Sequence, residues 1–285
     1  MTSQPTPVAG ARAADEPGGD RRGLPDTRGR AHLFWDFLFT AIRGIGHVAQ
    51  NFYATFGIFL SAGAAIALTG TYLFAKYAGR VRSGSTQAFD DAVLRWMAEY
   101  RSPLLDAVML EVTFLGTGTV VIAIVAVSGM FLWLTKHKYS ALLLFIATAG
   151  GIVLNNLLKV GFGRPRPTIV EWGTNAISWS FPSGHAMSAT VVYGTVAYLA
   201  ARLQARHLHR LITLSVAGIL ILAISVSRIY LGVHFPSDVI AGIIIGLAWA
   251  GFCMATLEAI QLYARRRAPH VLKAEQPPLA QAETR

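Results

Sequence analysis

Arg228, His234 and Asp238 stand close together in the stretch Ser227–Asp238, inside an otherwise apolar region. Ionisable residues are costly in such surroundings and are kept where they have a use. Pro236 favours a helix start just after His234. Asp238 then falls in the first helical turn, within reach of one ring nitrogen of His234. A carboxylate there fixes the imidazole tautomer and leaves the other nitrogen facing outward as a base or nucleophile. Arg228 is a fixed cation suited to a phosphate or a carboxylate. The same residues also suit a buried structural ion pair.

Two further groups carry related chemistry. Pro182-Ser183-Gly184-His185 opens an apolar segment. A helix N-terminus with a Ser-Gly pair presents free backbone N–H groups to an anion, the hydroxyl adds a donor, and glycine allows close approach. His185 then sits over the same anion as a proton donor. The plain structural reading is an N-cap serine beside an interfacial histidine. The third group is Lys159 with Arg164 and Arg166-Pro167. Its plain reading is a snorkelling lysine followed by loop arginines. Together the groups offer cations to neutralise a phosphate, amides to hold its oxygens, one histidine to attack and another to protonate the leaving oxygen. Those are the parts of phosphoryl transfer to a histidine.

The elements that must position these residues are membrane spans. The chain has 285 residues, of which 53% are hydrophobic and 14% charged, with mean hydropathy +0.46. Soluble domains carry about 25% charged residues, so the composition indicates a membrane protein. The formal charge is +10, but the bases flank apolar runs instead of forming one patch, which argues against a nucleic-acid partner. Cys253 is the single cysteine, so no disulfide forms within one chain.

Residues 1–30 read as a disordered tail and 31–52 as an interfacial amphipathic segment. Six apolar runs follow, near 53–77, 110–134, 140–158, 185–201, 211–227 and 237–262, each expected to span a bilayer. Between the first two, Phe89, Val93, Trp96 and Met97 recur at helical spacing and predict a surface helix. Residues 263–285 read as a basic disordered tail. The expected architecture is all-α, a six-transmembrane-helix bundle. The bases at Lys136, Lys138, Arg202, Arg206, Arg210 and Arg265 to Arg267 then share the side of both termini, which the positive-inside rule makes cytoplasmic. All three chemical groups fall on the opposite, extracytoplasmic face of what would be a bacterial inner (plasma) membrane. Gly242-x3-Gly246 is a small-residue helix-contact pattern, expected to pack within one bundle.

Lys159-x6-Arg166-Pro167, Pro182-Ser183-Gly184-His185 and Ser227-Arg228-x5-His234-x3-Asp238 match the three-part signature of the type 2 phosphatidic acid phosphatase (PAP2) superfamily, in its order and without a mismatch. The six-run layout resembles the integral-membrane lipid phosphatase branch. The resemblance implies His234 as nucleophile, Asp238 as its partner and His185 as general acid. It implies a phosphate pocket of Lys159, Arg166, Ser183, Gly184 and Arg228; Arg164, beside that motif, reads as an accessory cation beyond those the motif itself needs. It also implies a metal-independent reaction without a cofactor, acting on a lipid phosphate at the bilayer. The residues support metal independence separately: between Tyr139 and Asp238 the only acids are Glu171 and Asp238, whereas a two-metal phosphatase wants a carboxylate cluster. His207 and His209 lack a third zinc ligand nearby.

Substrates that fit are phosphatidic acid, phosphatidylglycerol phosphate and a polyprenyl diphosphate. Surplus Arg164, Arg80, Arg82, Arg95 and Arg101 would favour the diphosphate, unless they only meet lipid headgroups. A lipid phosphotransferase, a non-catalytic lipid-binding or transport protein, and a vanadium haloperoxidase share the scaffold or signature. The intact His/His/Asp set speaks against the second of these and the apolar runs against the third. Trp172 suits either a membrane-interface anchor or a headgroup contact. Oligomeric state is not legible.

Overall fold

A computed structural model describes residues 52–267. The tail at 1–30, the amphipathic segment up to residue 51 and the chain beyond 267 lie outside the described residues. Among those described, every regular element is an α-helix and none is a strand. The helices are α1 (Phe52–Arg82), α2 (Gln87–Glu99), α3 (Pro103–Phe114), α4 (Gly118–Leu134), α5 (Lys138–Phe162), α6 (Gly184–Arg202), α7 (His207–Tyr230) and α8 (Pro236–Arg267).

Local chemistry sets the ends that matter. Ser102 caps α3, its hydroxyl accepting from Leu105 N at 3.3 Å, with Pro103 at the first helical position; both choices satisfy or remove an orphan N–H. Gly163 ends α5 in the left-handed conformation, and its N–H returns to the Lys159 carbonyl, the αL way of closing a helix. Pro236 opens α8 with Asp238 in its first turn, where a carboxylate suits the helix dipole. The last helix continues to Arg267, past the span end expected at residue 262.

Among the described residues four helices, α1, α5, α7 and α8, are long and apolar enough to cross a membrane. The expected second span is two helices, α3 and α4, bent by 45°, and makes a fifth crossing if the pair counts as one. Helix α6 is shorter and lined with Ser188, Thr190, Gly194 and Thr195. It is largely buried against α5, α7 and α8, so it needs no lipid-facing apolar surface. The stripe Gly242/Gly246 faces it. A Cβ at Gly242 would lie 2.7 Å from the Ser183 carbonyl oxygen, and one at Gly246 would lie 3.0 Å from Thr190 Cβ.

An apolar cluster of Val125, Leu144, Val191, Val192, Leu199 and Leu257 joins α4, α5, α6 and α8. A second cluster supports the loop before α6. Phe181 is fully buried there, with its ring 4.8 Å from Phe162 and 5.8 Å from Phe74.

The surface helix α2 forms, and of the four apolar residues whose spacing predicts it only Val93 and Met97 pack inward. Phe89 and Trp96 are exposed, whereas Asp90 and Leu94 are buried and Val93 and Met97 pack beside them. The inward set is therefore 90, 93, 94 and 97, a regular helical stripe with an aspartate in it.

Candidate active site

The ends of α5, α6, α7 and α8 converge with the loops between them. Gly232 adopts φ +71°, a conformation costly for residues with a Cβ. It turns the chain out of α7 toward His234, which is buried.

His234 is held from both ring nitrogens. On one side Ser180 Oγ lies 3.3 Å from Nδ1 and Asp238 Oδ2 lies 3.4 Å from it. The Ser180 hydroxyl donates to Asp238 Oδ2, so its lone pair is left to accept from Nδ1–H. On the other side Arg166 Nη1 lies 3.2 Å from Nε2 and, having only protons to give, donates to it. Both contacts assign the same neutral tautomer, protonated at Nδ1 and carrying its lone pair at Nε2. Ser180 thus bridges the histidine and the aspartate, a member of the site that the three motifs did not point to. Burial lowers the His234 pKa to about 4; Asp238 opposes this, and Arg166 and Lys159 add to it.

Asp238 is fully buried. Its Oδ2 also accepts from Phe235 N at 3.0 Å, its Oδ1 accepts from Arg164 Nη1 at 2.7 Å, and its main-chain oxygen accepts from Ser183 N at 3.0 Å. That last bond joins the start of α6 to the helix bearing the aspartate.

The cations expected around a phosphate are brought together. Lys159, buried, donates to the Trp179 carbonyl. Arg166 also donates from Nε to the Ser178 carbonyl at 2.8 Å and from Nη1 to the Val233 carbonyl at 2.6 Å. Arg228 is 4% exposed, and its Nη1 donates to Thr113 Oγ1 at 2.7 Å. Gly184 faces Lys159 and Asn155: a Cβ there would lie 3.2 Å from Asn155 Oδ1.

Among the described residues nothing hydrogen-bonds the buried Ser183 Oγ or Arg228 Nε. Each such orphan costs about 1–3 kcal/mol, more when charged. The first-turn N–H groups of α6 likewise lack helix partners by construction. Donors without acceptors are the complement of an oxyanion.

His185 lies within electrostatic reach of Arg228, His234, Arg166 and Lys159. It rests on the break between α3 and α4. A Cβ at Gly116 would come 2.9 Å from His185 Cδ2 and 2.6 Å from Ile224 Cγ2. The bend thus supplies Thr113 to Arg228 and room at Gly116 to His185. Gly116 reads in the sequence as an ordinary membrane-helix glycine, and nothing local distinguishes it.

Arg164 differs from the expectation of an accessory phosphate cation. Its Nη1 meets Asp238 Oδ1 and Ser237 Oγ, the latter at 2.8 Å, and its Nη2 meets Asp90 Oδ2 at 2.9 Å. Two buried carboxylates hold it in place. Arg101 is committed likewise, bidentate to Asp106 at 3.2 and 2.9 Å and donating to the Glu171 carbonyl. The surplus positive charge behind a diphosphate preference is thereby reduced. Trp172 gives its indole N–H to the Pro167 carbonyl at 2.7 Å, and its ring is partly exposed. Among the described residues no three His, Cys, Asp or Glu side chains are grouped to hold a metal ion.

Known proteins resemble this chain in sequence and in fold. The family model for the PAP2 superfamily matches residues 138–261. Phosphatidylglycerophosphatase B of Bacillus subtilis is 31% identical over 175 residues, covering 61% of this chain and 86% of that protein. This chain belongs to the PAP2 superfamily. A lipid A 1-phosphatase of Rhizobium johnstonii is 30% identical over 128 residues, 42% of this chain and 48% of that protein. Among solved structures, a transmembrane PAP2-type phosphatidylglycerolphosphate phosphatase from Bacillus subtilis superposes with TM-score 0.65 at 28% identity. That likeness covers 68% of this chain and 96% of the other. The PAP2 match includes all three groups of site residues, from Lys159 to Asp238.

Proposed function

We propose that this PAP2 protein is an integral-membrane lipid phosphatase that hydrolyses a lipid phosphate monoester through a phosphohistidine at His234. The observation that carries the reading is a histidine whose contacts place its lone pair at Nε2, where Arg166 donates to it, beside buried donors, Ser183 Oγ and Arg228 Nε, without acceptors. The Nε2 lone pair attacks phosphorus while the bond to the lipid oxygen breaks. His185 gives that oxygen its proton and then takes one from the water that cleaves the phosphorus–nitrogen bond, releasing inorganic phosphate. Arg166 exchanges its contact with Nε2 for a phosphate oxygen. Lys159, Arg228, Ser183 and the Gly184 backbone hold the remaining oxygens as negative charge builds. Asp238, through Ser180, keeps the proton on Nδ1. No metal is needed to neutralise a phosphate so surrounded by cations.

Residues 53–262 would form the catalytic domain, crossing an inner membrane six times, with α6 and the bent pair among the crossings. Both termini would lie in the cytoplasm and the site would open on the extracytoplasmic face. The positive-inside bias of the basic turns supports this orientation. Phosphate monoesters, phosphatidylglycerol phosphate and phosphatidic acid, are favoured over a polyprenyl diphosphate because Arg164 and Arg101 are held by carboxylates.

The test is phosphate release by purified protein in detergent with excess EDTA, from all three lipids. Release in EDTA, fastest from a monoester, is expected. A strict requirement for Mg²⁺, or no release from any of them, sinks the proposal. Sidedness is read in the Cys253→Ser background by a cysteine at Thr168, which reagent should label in intact cells.

The depressed basicity of His234 sets the pH dependence. Its neutral form attacks, and with a pKa near 4 that form dominates at every higher pH. After correction for the substrate phosphate, whose own pKa is about 6, the acid limb of kcat/KM should fall only as pH drops through about 4 to 5, and an alkaline limb would report loss of the His185 proton. An acid limb centred at the ordinary imidazole value of about 6.5 would show that burial does not depress His234.

A further inference from the structure

Asp90 is fully buried on a helix that otherwise looks like a surface element. Its carboxylate accepts from four donors. Ser237 N reaches Oδ1 at 2.9 Å. Ser237 Oγ, Arg164 Nη2 and Thr86 Oγ1 reach Oδ2 at 2.5, 2.9 and 3.2 Å. Ser237 lies in the first turn of α8, where backbone N–H groups have no helix partner. Asp90 thus caps from another helix the one that carries Asp238. Arg164 links the two carboxylates, with Nη1 on Asp238 Oδ1 and Nη2 on Asp90 Oδ2. Its guanidinium lies 4.1 Å above the centre of the Phe235 ring, so packing as well as charge fixes its plane.

The consequence lies in the rotation of one carboxylate. Asp238 has two oxygens and distinct partners for each. Arg164 takes Oδ1, which turns Oδ2 toward Ser180, Phe235 N and the Nδ1 side of His234. Remove the cation, and the rotamer that serves His234 loses its anchor, while Asp90 becomes a buried charge without its ion-pair partner.

We propose that Asp90 and Arg164 are a positioning pair for the reacting histidine: α2 and the loop after α5 fix the Asp238 carboxylate, and neither residue binds the phosphate. The proposal rests on His234 being the nucleophile. It assigns a role to Asp90, which no signature position includes, and replaces the role expected of Arg164.

The experiment compares Arg164→Gln, Arg164→Lys, Asp90→Asn and the double variant Asp90→Asn/Arg164→Gln as purified full-length proteins in detergent. The readouts are kcat, KM and inhibition by inorganic phosphate, each per folded molecule by size-exclusion chromatography. Misplacing a reacting group costs on the order of 10²-fold. The expected pattern for Arg164→Gln and Asp90→Asn is therefore a fall in kcat of tens-fold or more, with KM and phosphate inhibition within about 2-fold of wild type. Arg164→Lys should recover part of the loss, and the double variant should be little worse than the worse single one, because the pair acts as a unit. If Arg164→Gln does not fold, Arg164→Lys and Asp90→Asn decide the matter alone. Weakened phosphate inhibition with kcat intact would make Arg164 a phosphate ligand. Unchanged kcat in folded Asp90→Asn would make the pair purely structural. Either overturns the proposal. Failure of the underlying reading looks different: wild type releases no phosphate, or His234→Ala retains its rate.

Discussion

His234→Ala should release no measurable phosphate from any lipid phosphate, a loss beyond the roughly 10²–10⁴-fold that accompanies removal of a general acid or base. A nucleophile has no substitute in the site. Ser180 Oγ is on the Nδ1 side and already donates to Asp238, and both Asp238 oxygens are already engaged, Oδ1 by Arg164 and Oδ2 by Ser180 and Phe235 N. The protein should still fold. Asp238 keeps Arg164, Ser180 and Phe235 N as partners, so the truncation leaves no buried carboxylate bare. Protein quenched in alkaline detergent, where a phosphorus–nitrogen bond survives, should carry label from a ³²P-labelled lipid phosphate in wild type and none in His234→Ala. His185→Ala is the informative control. In the proposed mechanism the attack on phosphorus needs the Nε2 lone pair and protonation of the leaving oxygen needs His185, so this variant should be slow yet still labelled. Full activity in folded His234→Ala would remove the phosphohistidine altogether.

The three groups were legible in the sequence because each sits at a helix end whose signals are local. Pro236 places Asp238 one turn after His234, and Ser183-Gly184 opens α6. What escaped were partners supplied across long stretches of chain. Asp90 reads as half of an Asp90-Asp91 pair on a polar helix, and only the fold shows that Arg164 and Ser237 come to it. Thr113 meets Arg228 from another helix, with no motif of its own. Ser180 lies just ahead of Pro182-Ser183-Gly184-His185, and its neighbourhood could have marked it, but a loop serine has too many ordinary uses to be singled out. The run at 110–134 looked continuous because apolar residues flank Gly116 and Thr117, whereas the chain bends there to bring Thr113 and Gly116 to the site. The buried face of α2 escaped for the same reason: the helical spacing of its apolar residues carries no sign that an ion pair with Arg164 turns Asp90 inward. The site was thus readable where chemistry follows local spacing and unreadable where it depends on tertiary pairing.

Arg228→Met should separate function from stability by moving them in opposite directions. Arg228 is buried near the C-terminal end of α7. Its only described hydrogen bond is from Nη1 to Thr113 Oγ1, and its Nε has no acceptor. A buried cation without a carboxylate is a net cost to folding, and an orphaned charged donor adds to it. Methionine keeps much of the length and apolar stem while removing both terms. The thermal midpoint of the protein without phosphate should therefore stay level or rise. Catalysis should suffer, because the charge and the free N–H are what a phosphate gaining negative charge would meet. Removing one such donor elsewhere costs about 10²–10³-fold, and a comparable fall in kcat/KM is expected here. Inorganic phosphate should raise the thermal midpoint of wild type through binding to the folded state, and the variant should lose most of that increment. A structural arginine would behave in the reverse way: Arg228→Met would melt earlier, keep its kcat/KM per folded molecule and still be stabilised by phosphate. That outcome would take Arg228 out of the phosphate pocket and leave the orphaned Nε without an explanation.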